Sequence, residues 1–119
     1  MRCLTNSTIT VKECQPLGHN VSDVLTLDDV RLGGKVVLYR VDVNSPLEPS
    51  SGAFLDDSRL RAIIPTLRTL QNSKVIIVGH QSRPGKIDFT NMEQHADRIS
   101  RLIGKKVKFI SDICGDEAI

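Results

Sequence analysis

A chain of 119 residues with a formal net charge of +2 is one small domain or part of a larger one. Aromatic residues make up 3% and Trp is absent, so the stacking surfaces and clustered cations of a nucleic-acid binder are missing, and no nucleic-acid partner is expected. No stretch approaches the ~20 apolar residues of a membrane span, residues 1–20 lack a signal-peptide core, and Cys3, Cys14 and Cys114 have no metal-type spacing. The expectation is a cytoplasmic, reducing setting with no membrane contact.

In chain order, residues 1–20 are poorly patterned and read as an N-terminal extension, with Thr8–Val11 as a candidate edge strand. Thr26 is placed to cap a helical turn over Leu27–Val30. Gly33-Gly34 turns the chain into Lys35–Tyr39, a continuous apolar run that suits a strand covered on both faces. Leu47–Asp57 is a long loop. A helix capped by Asp56 or Asp57 follows, with Leu60, Ile63, Ile64, Leu67 and Leu70 on one stripe and a kink at Pro65. Lys74–Gly79 is a second buried strand. Thr90 and Glu93 form a capping box for a helix whose core face is Met92, Ala96, Ile99 and Ile103, ending at Gly104. Lys106–Ile110 alternates and reads as a third strand. Strand, helix, strand, helix, strand implies right-handed crossovers and a Rossmann-like parallel sheet with flanking helices, a three-layer αβα α/β fold that is incomplete here.

Polar residues gather where the strands end. Asp42 and Asn44 follow the first, Arg59 opens the first helix, and His80 and Arg83 follow the second strand. Open parallel sheets bind ligands outside this edge, and guanidinium groups there suit a phosphate or carboxylate. At ~100° per residue the apolar stripe of the first helix spans roughly 20° to 140° from Arg59, so Arg59 borders the buried face and Arg61, near ~200°, faces solvent. Each residue alone has a plainer reading: a loop cap for Asp42, a turn former for Asn44, a packed histidine for His80, a solvated arginine for Arg59 or Arg83. Their shared location favours the functional reading. The segment Gly79–Lys86 misses the phosphate-loop spacing, with five residues between its glycines and Ile87 in place of Ser or Thr. His95 stands on a helix without a spaced partner, so no metal site is expected.

Arg40-Val41-Asp42-Val43-Asn44-Ser45-Pro46, Asp56-Asp57-Ser58-Arg59-Leu60-Arg61-Ala62 and His80-Gln81-Ser82-Arg83-Pro84 resemble three motifs of the phosphoglycerate kinase family, in order and at fitting distances. The likeness runs from about Leu25 to the last residue, and Gln81-Ser82 is similar to the family's archaeal branch. It departs from the wider family pattern at Val43, Ser45 and Gln81-Ser82. The resemblance implies that residues 21–119 are part of an N-terminal, 3-phosphoglycerate-binding domain, monomeric when full length. It implies that Asp42 and Asn44 hold the substrate's hydroxyl and carboxylate end, that His80 and Arg83 hold its phosphate, and that Arg59 is catalytic and also binds substrate. ATP or ADP with Mg2+ would sit in a further domain, leaving no cofactor site in this segment. The alternative is a non-catalytic anion-binding regulatory module using the same sheet edge.

Overall fold

The structure, a computed structural model, describes residues 25–119 and the backbone of residues 2–4. Three strands, β1 (Arg2–Leu4), β2 (Val36–Arg40) and β3 (Lys74–Gly79), form one sheet in the order β1-β3-β2. The helices are α1 (Ser58–Ala62), α2 (Ile64–Thr69) and α3 (Glu93–Ile103), preceded by a 3-10 turn at Leu27–Asp29. β2 and β3 pair in parallel from Val36 opposite Lys74 to Arg40 opposite Val78. β1 runs antiparallel to β3, Arg2 opposite Gly79 and Leu4 opposite Ile77. The fold is Rossmann-like α/β.

The core follows from residue alternation. Tyr39, Val41 and Val43 from the first strand segment and Val75 and Ile77 from β3 point to one face, where they meet Leu60, Ile63, Ile64, Leu67, Met92, Ala96 and Ile99. All three helices therefore cover the same face. Helices of five and six residues do not persist alone in water. Burying Leu60 and Ile99 completely, each worth about 1.5–3 kcal/mol, is what holds α1 and α3 down. Among the described residues no helix covers the opposite face, where Leu38 is 57% exposed while Ile76 opposite it on β3 is buried.

Three local expectations change. The single kinked helix is two helices, α1 and α2, because Pro65 near the start of α2 has no N–H to continue the ladder. The helix begins at Ser58 after Asp57, one of the two expected N-cap positions, and Asp56 accepts the Ser58 N–H at 3.2 Å. Thr90 and Glu93 form no capping box: α3 starts at Glu93 after Met92, and Asn91 accepts the Glu93 N–H at 3.1 Å. Lys106–Ile110 joins no ladder, and β1 runs antiparallel on the edge of β3 not paired with β2, making the sheet mixed rather than wholly parallel. That segment still contributes to the core: Ile110 is buried, and Val107 donates its N–H to Ser100 Oγ at 2.8 Å. The turn at Gly34, φ 74°, and the left-handed Gly104 after α3, φ 70°, match expectation. The candidate strand at Thr8–Val11 lies outside the described residues.

Candidate functional site

β2 ends at Arg40, but the alternation does not. Val41 donates to Val78 O at 2.9 Å, and Val41, Val43 and Ser45 stay buried while Asp42 and Asn44 face outward. The chain is held close to the sheet here. A Cβ on Gly79 would stand 3.1 Å from Val43 Cγ2 and 3.4 Å from Met92 Cε, so glycine at the end of β3 is what lets the two strand ends approach.

Asp42 accepts the Asn44 N–H at 3.2 Å, closing a small turn. Arg59 Nη1 reaches both Asp42 oxygens, at 2.8 and 2.7 Å. The Asn44 N–H is the main reason the Asp42 carboxyl lies below the usual carboxylate range. Slight burial opposes it, and Arg59 and then the nearby His80 add to it. Both partners remain open to solvent, Arg59 at 49% and Asp42 at 67% exposure, so the pair is worth no more than about 1 kcal/mol and is free to exchange partners.

Asn44 turns toward the loop after β3. Its Oδ1 accepts the Ser82 N–H at 3.0 Å. Ser82 has φ 55°, a left-handed conformation that costs a non-glycine residue about 1–2 kcal/mol. The bond to Asn44 and a second, from Ser82 Oγ to Asp88 at 2.6 Å, hold it there. Beneath them Gln81 is buried. Its Nε2 donates to Ser45 O at 2.9 Å and its Oε1 accepts the Ser45 N–H at 3.1 Å. The same Oε1 meets His95 Nε2 at 3.1 Å. His95, fully enclosed, stacks edge-on against Phe54 with ring centroids 4.8 Å apart. Burial pushes its pKa down to about 4, the nearby Val43 backbone opposing the shift, so the ring is neutral at pH 7.

An open cleft of about 390 Å³ results, lined by Asn44, His80, Ser82, Arg83, Lys86 and Asp88. A hollow of about 310 Å³ beside it shares His80 and Ser82 and turns apolar at Phe89 and Met92. Of the five residues singled out in the sequence, Asn44, His80 and Arg83 line the cleft, while Asp42 and Arg59 pair with each other outside its lining. Lys86 and Ser82 were missed in the sequence. Lys86 had the weak signal of standing in the same strand-end loop as Arg83, whereas nothing local announces a left-handed serine. Arg61 binds Asp57 at 2.8 Å, and Asp57 also takes Arg98, so that cluster braces α1 against α3 rather than serving the cleft. Among the described residues, no three His, Cys, Asp or Glu side chains are grouped to hold a metal ion, and no helix is long and apolar enough to cross a membrane. Three cations or cation-capable groups, His80, Arg83 and Lys86, face one carboxylate, Asp88, which already accepts from Ser82.

The chain is an α/β protein of the Rossmann-like class, with a cleft lined by three basic side chains at the carboxyl ends of its parallel strands. The family model described as phosphoglycerate kinase matches residues 27–119. The chain is 51% identical over 90 residues to a phosphoglycerate kinase of Methanocorpusculum labreanum, covering 76% of this chain and 22% of that protein. It is 46% identical over 95 residues to the phosphoglycerate kinase of Methanothermobacter thermautotrophicus, covering 78% and 23%. The crystal structure of phosphoglycerate kinase from Pyrococcus horikoshii OT3 superposes with a TM-score of 0.73 at 37% identity, covering 80% of this chain and 24% of that one. The chain belongs to the phosphoglycerate kinase family. It spans 22–23% of the length of these two curated relatives.

Proposed function

We propose that this chain forms part of the 3-phosphoglycerate site of a phosphoglycerate kinase, residues 21–119 belonging to the substrate-binding domain. The reaction is reversible phosphoryl transfer between ATP and the carboxylate of 3-phosphoglycerate, giving 1,3-bisphosphoglycerate and ADP. The observation that carries this reading is the cationic strand-end cleft in a chain matched by the family over residues 27–119. Arg83 and His80 bind the substrate phosphate, with Asn44 and Asp42 toward its hydroxyl and carboxylate end. The carboxylate oxygen attacks the transferring phosphorus as its bond to ADP breaks. A carboxylate needs no base, so positioning and charge neutralisation carry the rate. Arg59, held only by an exposed pair, leaves Asp42 for the reacting carboxylate. On this reading ATP or ADP with Mg2+ binds through a further domain of the family's longer enzymes, and the residues of this cleft serve the phosphorylated acid.

Calorimetric titration of the chain with 3-phosphoglycerate, glycerate and inorganic phosphate tests the reading. Saturable 3-phosphoglycerate binding, weakened about tenfold or more by removing the phosphate or by Arg83→Ala, is expected. Equal, non-saturable heats from all three compounds sink it. In a full-length enzyme carrying this segment, Arg83→Ala raises KM, Arg59→Ala lowers kcat by about 10²-fold or more, and Arg61→Ala changes little.

A further inference from the structure

The three buried polar residues among the described core positions are Ser45, Gln81 and His95, and Gln81 hydrogen-bonds to both of the others. None lines the cleft, yet Ser45 and Gln81 each adjoin residues that do. Ser45 follows Asn44, and Gln81 lies between His80 and Ser82. We propose that Gln81 and His95 are positioning residues of the strand-end site: His95, as the neutral tautomer protonated on Nε2, fixes the Gln81 amide, which clamps Ser45 and joins the two site loops into one rigid unit.

The hydrogen-bond pattern dictates the tautomer. Ser45 presents both an N–H and a carbonyl to the Gln81 amide, so that amide has only one orientation without a clash of like groups, Oε1 toward Ser45 N and Nε2 toward Ser45 O. Oε1 therefore also faces His95 Nε2, 3.1 Å away, and an acceptor there requires Nε2–H. Nδ1, enclosed and without a hydrogen-bond partner, is then a bare acceptor. The depressed basicity of the ring agrees with a neutral imidazole. Above this clamp the Asn44–Ser82 bond joins the same two loops at the surface. Two ties at adjacent levels hold Asn44, His80 and Ser82 in a fixed relation, and Ser82 is kept in its left-handed conformation by that frame.

A purely structural role would lower global stability without singling out these loops. Amide exchange separates the two. In His95→Leu the Ser45 and Ser82 amides are expected to exchange about tenfold faster, the loss of about one hydrogen bond, while Ile77 in the centre of β3 keeps its protection. His95→Gln, which can present an N–H near the Nε2 position, restores both to within about threefold. Unchanged protection at Ser45 and Ser82, or equal loss at Ile77, overturns the proposal. Should His95→Leu fail to fold, the imidazole 15N spectrum of the unmodified chain decides: the Nε2–H tautomer at pH 7 supports the clamp, and Nδ1–H or a charged ring refutes it. The ligand arm rests on the 3-phosphoglycerate reading. His95→Leu should weaken 3-phosphoglycerate binding by about tenfold and His95→Gln should restore it. Absence of binding to the unmodified chain counts against that reading, leaving the exchange data to judge the clamp.

Discussion

Ser45, Gln81 and His95 are at most 2% exposed, while Asp42 and Arg59, a few residues away on the same sheet edge, are 67% and 49% exposed. The buried network is neutral and the open one is charged. Burial makes each hydrogen bond in the first costly to lose, because an orphaned group finds no water to replace its partner. Exposure makes the ion pair in the second weak and exchangeable. The division suits the proposed site: the part that sets the shape is out of reach of solvent, and the part proposed to meet an anion gives up its partner cheaply.

The largest effect expected is on the buried side. Gln81→Leu strands the Ser45 N–H, the Ser45 carbonyl and His95 Nε2 together, and should cost about 3–5 kcal/mol in urea unfolding. A loss under about 1 kcal/mol would mean that the clamp is no more than a surface contact.

Next comes acid. The folded His95 pKa of about 4 lies below the ordinary 6.5, so the unfolded chain binds the proton more readily between those values. The stability owed to neutral His95 is complete above pH 6.5 and is lost as pH falls toward 4, by about 3 kcal/mol in all. His95→Leu should flatten this part of the pH–stability curve. An unaltered slope in that variant would assign the acid lability to other groups.

Packing beneath both networks ranks third. Gly79→Ala places a methyl 3.1 Å from Val43 Cγ2 and should cost about 1–2 kcal/mol, read as a lowered thermal midpoint. No change would show that the strand ends can part without strain.

The exposed pair comes last. Arg59→Ala should cost at most about 1 kcal/mol, a difference that fades in high salt. A salt-independent loss of 3 kcal/mol or more, on the scale of a broken buried pair, would erase the contrast between the two networks.

Much of the frame was legible in the residue order. β3 runs over the expected Lys74–Gly79, and the stripe Leu60, Ile63, Ile64, Leu67 and Leu70 is buried as its spacing requires. Period-2 and period-3.6 burial are local properties, so a linear string carries them. Gathering Asn44, His80 and Arg83 at one edge was also readable, since parallel topology brings successive strand ends together. Partner choice was not readable. That Arg2–Leu4, distant in sequence, takes the free edge of β3 while Lys106–Ile110 joins no ladder is not written in either segment's own pattern. That His95 is a buried ring bound to Gln81, rather than one more polar helix residue, depends on Phe54 and Gln81 arriving from other elements. Alternation and helical phase are written within a few residues, but a hydrogen bond between positions 36 or 14 apart exists only once packing has excluded water and left each group a single partner.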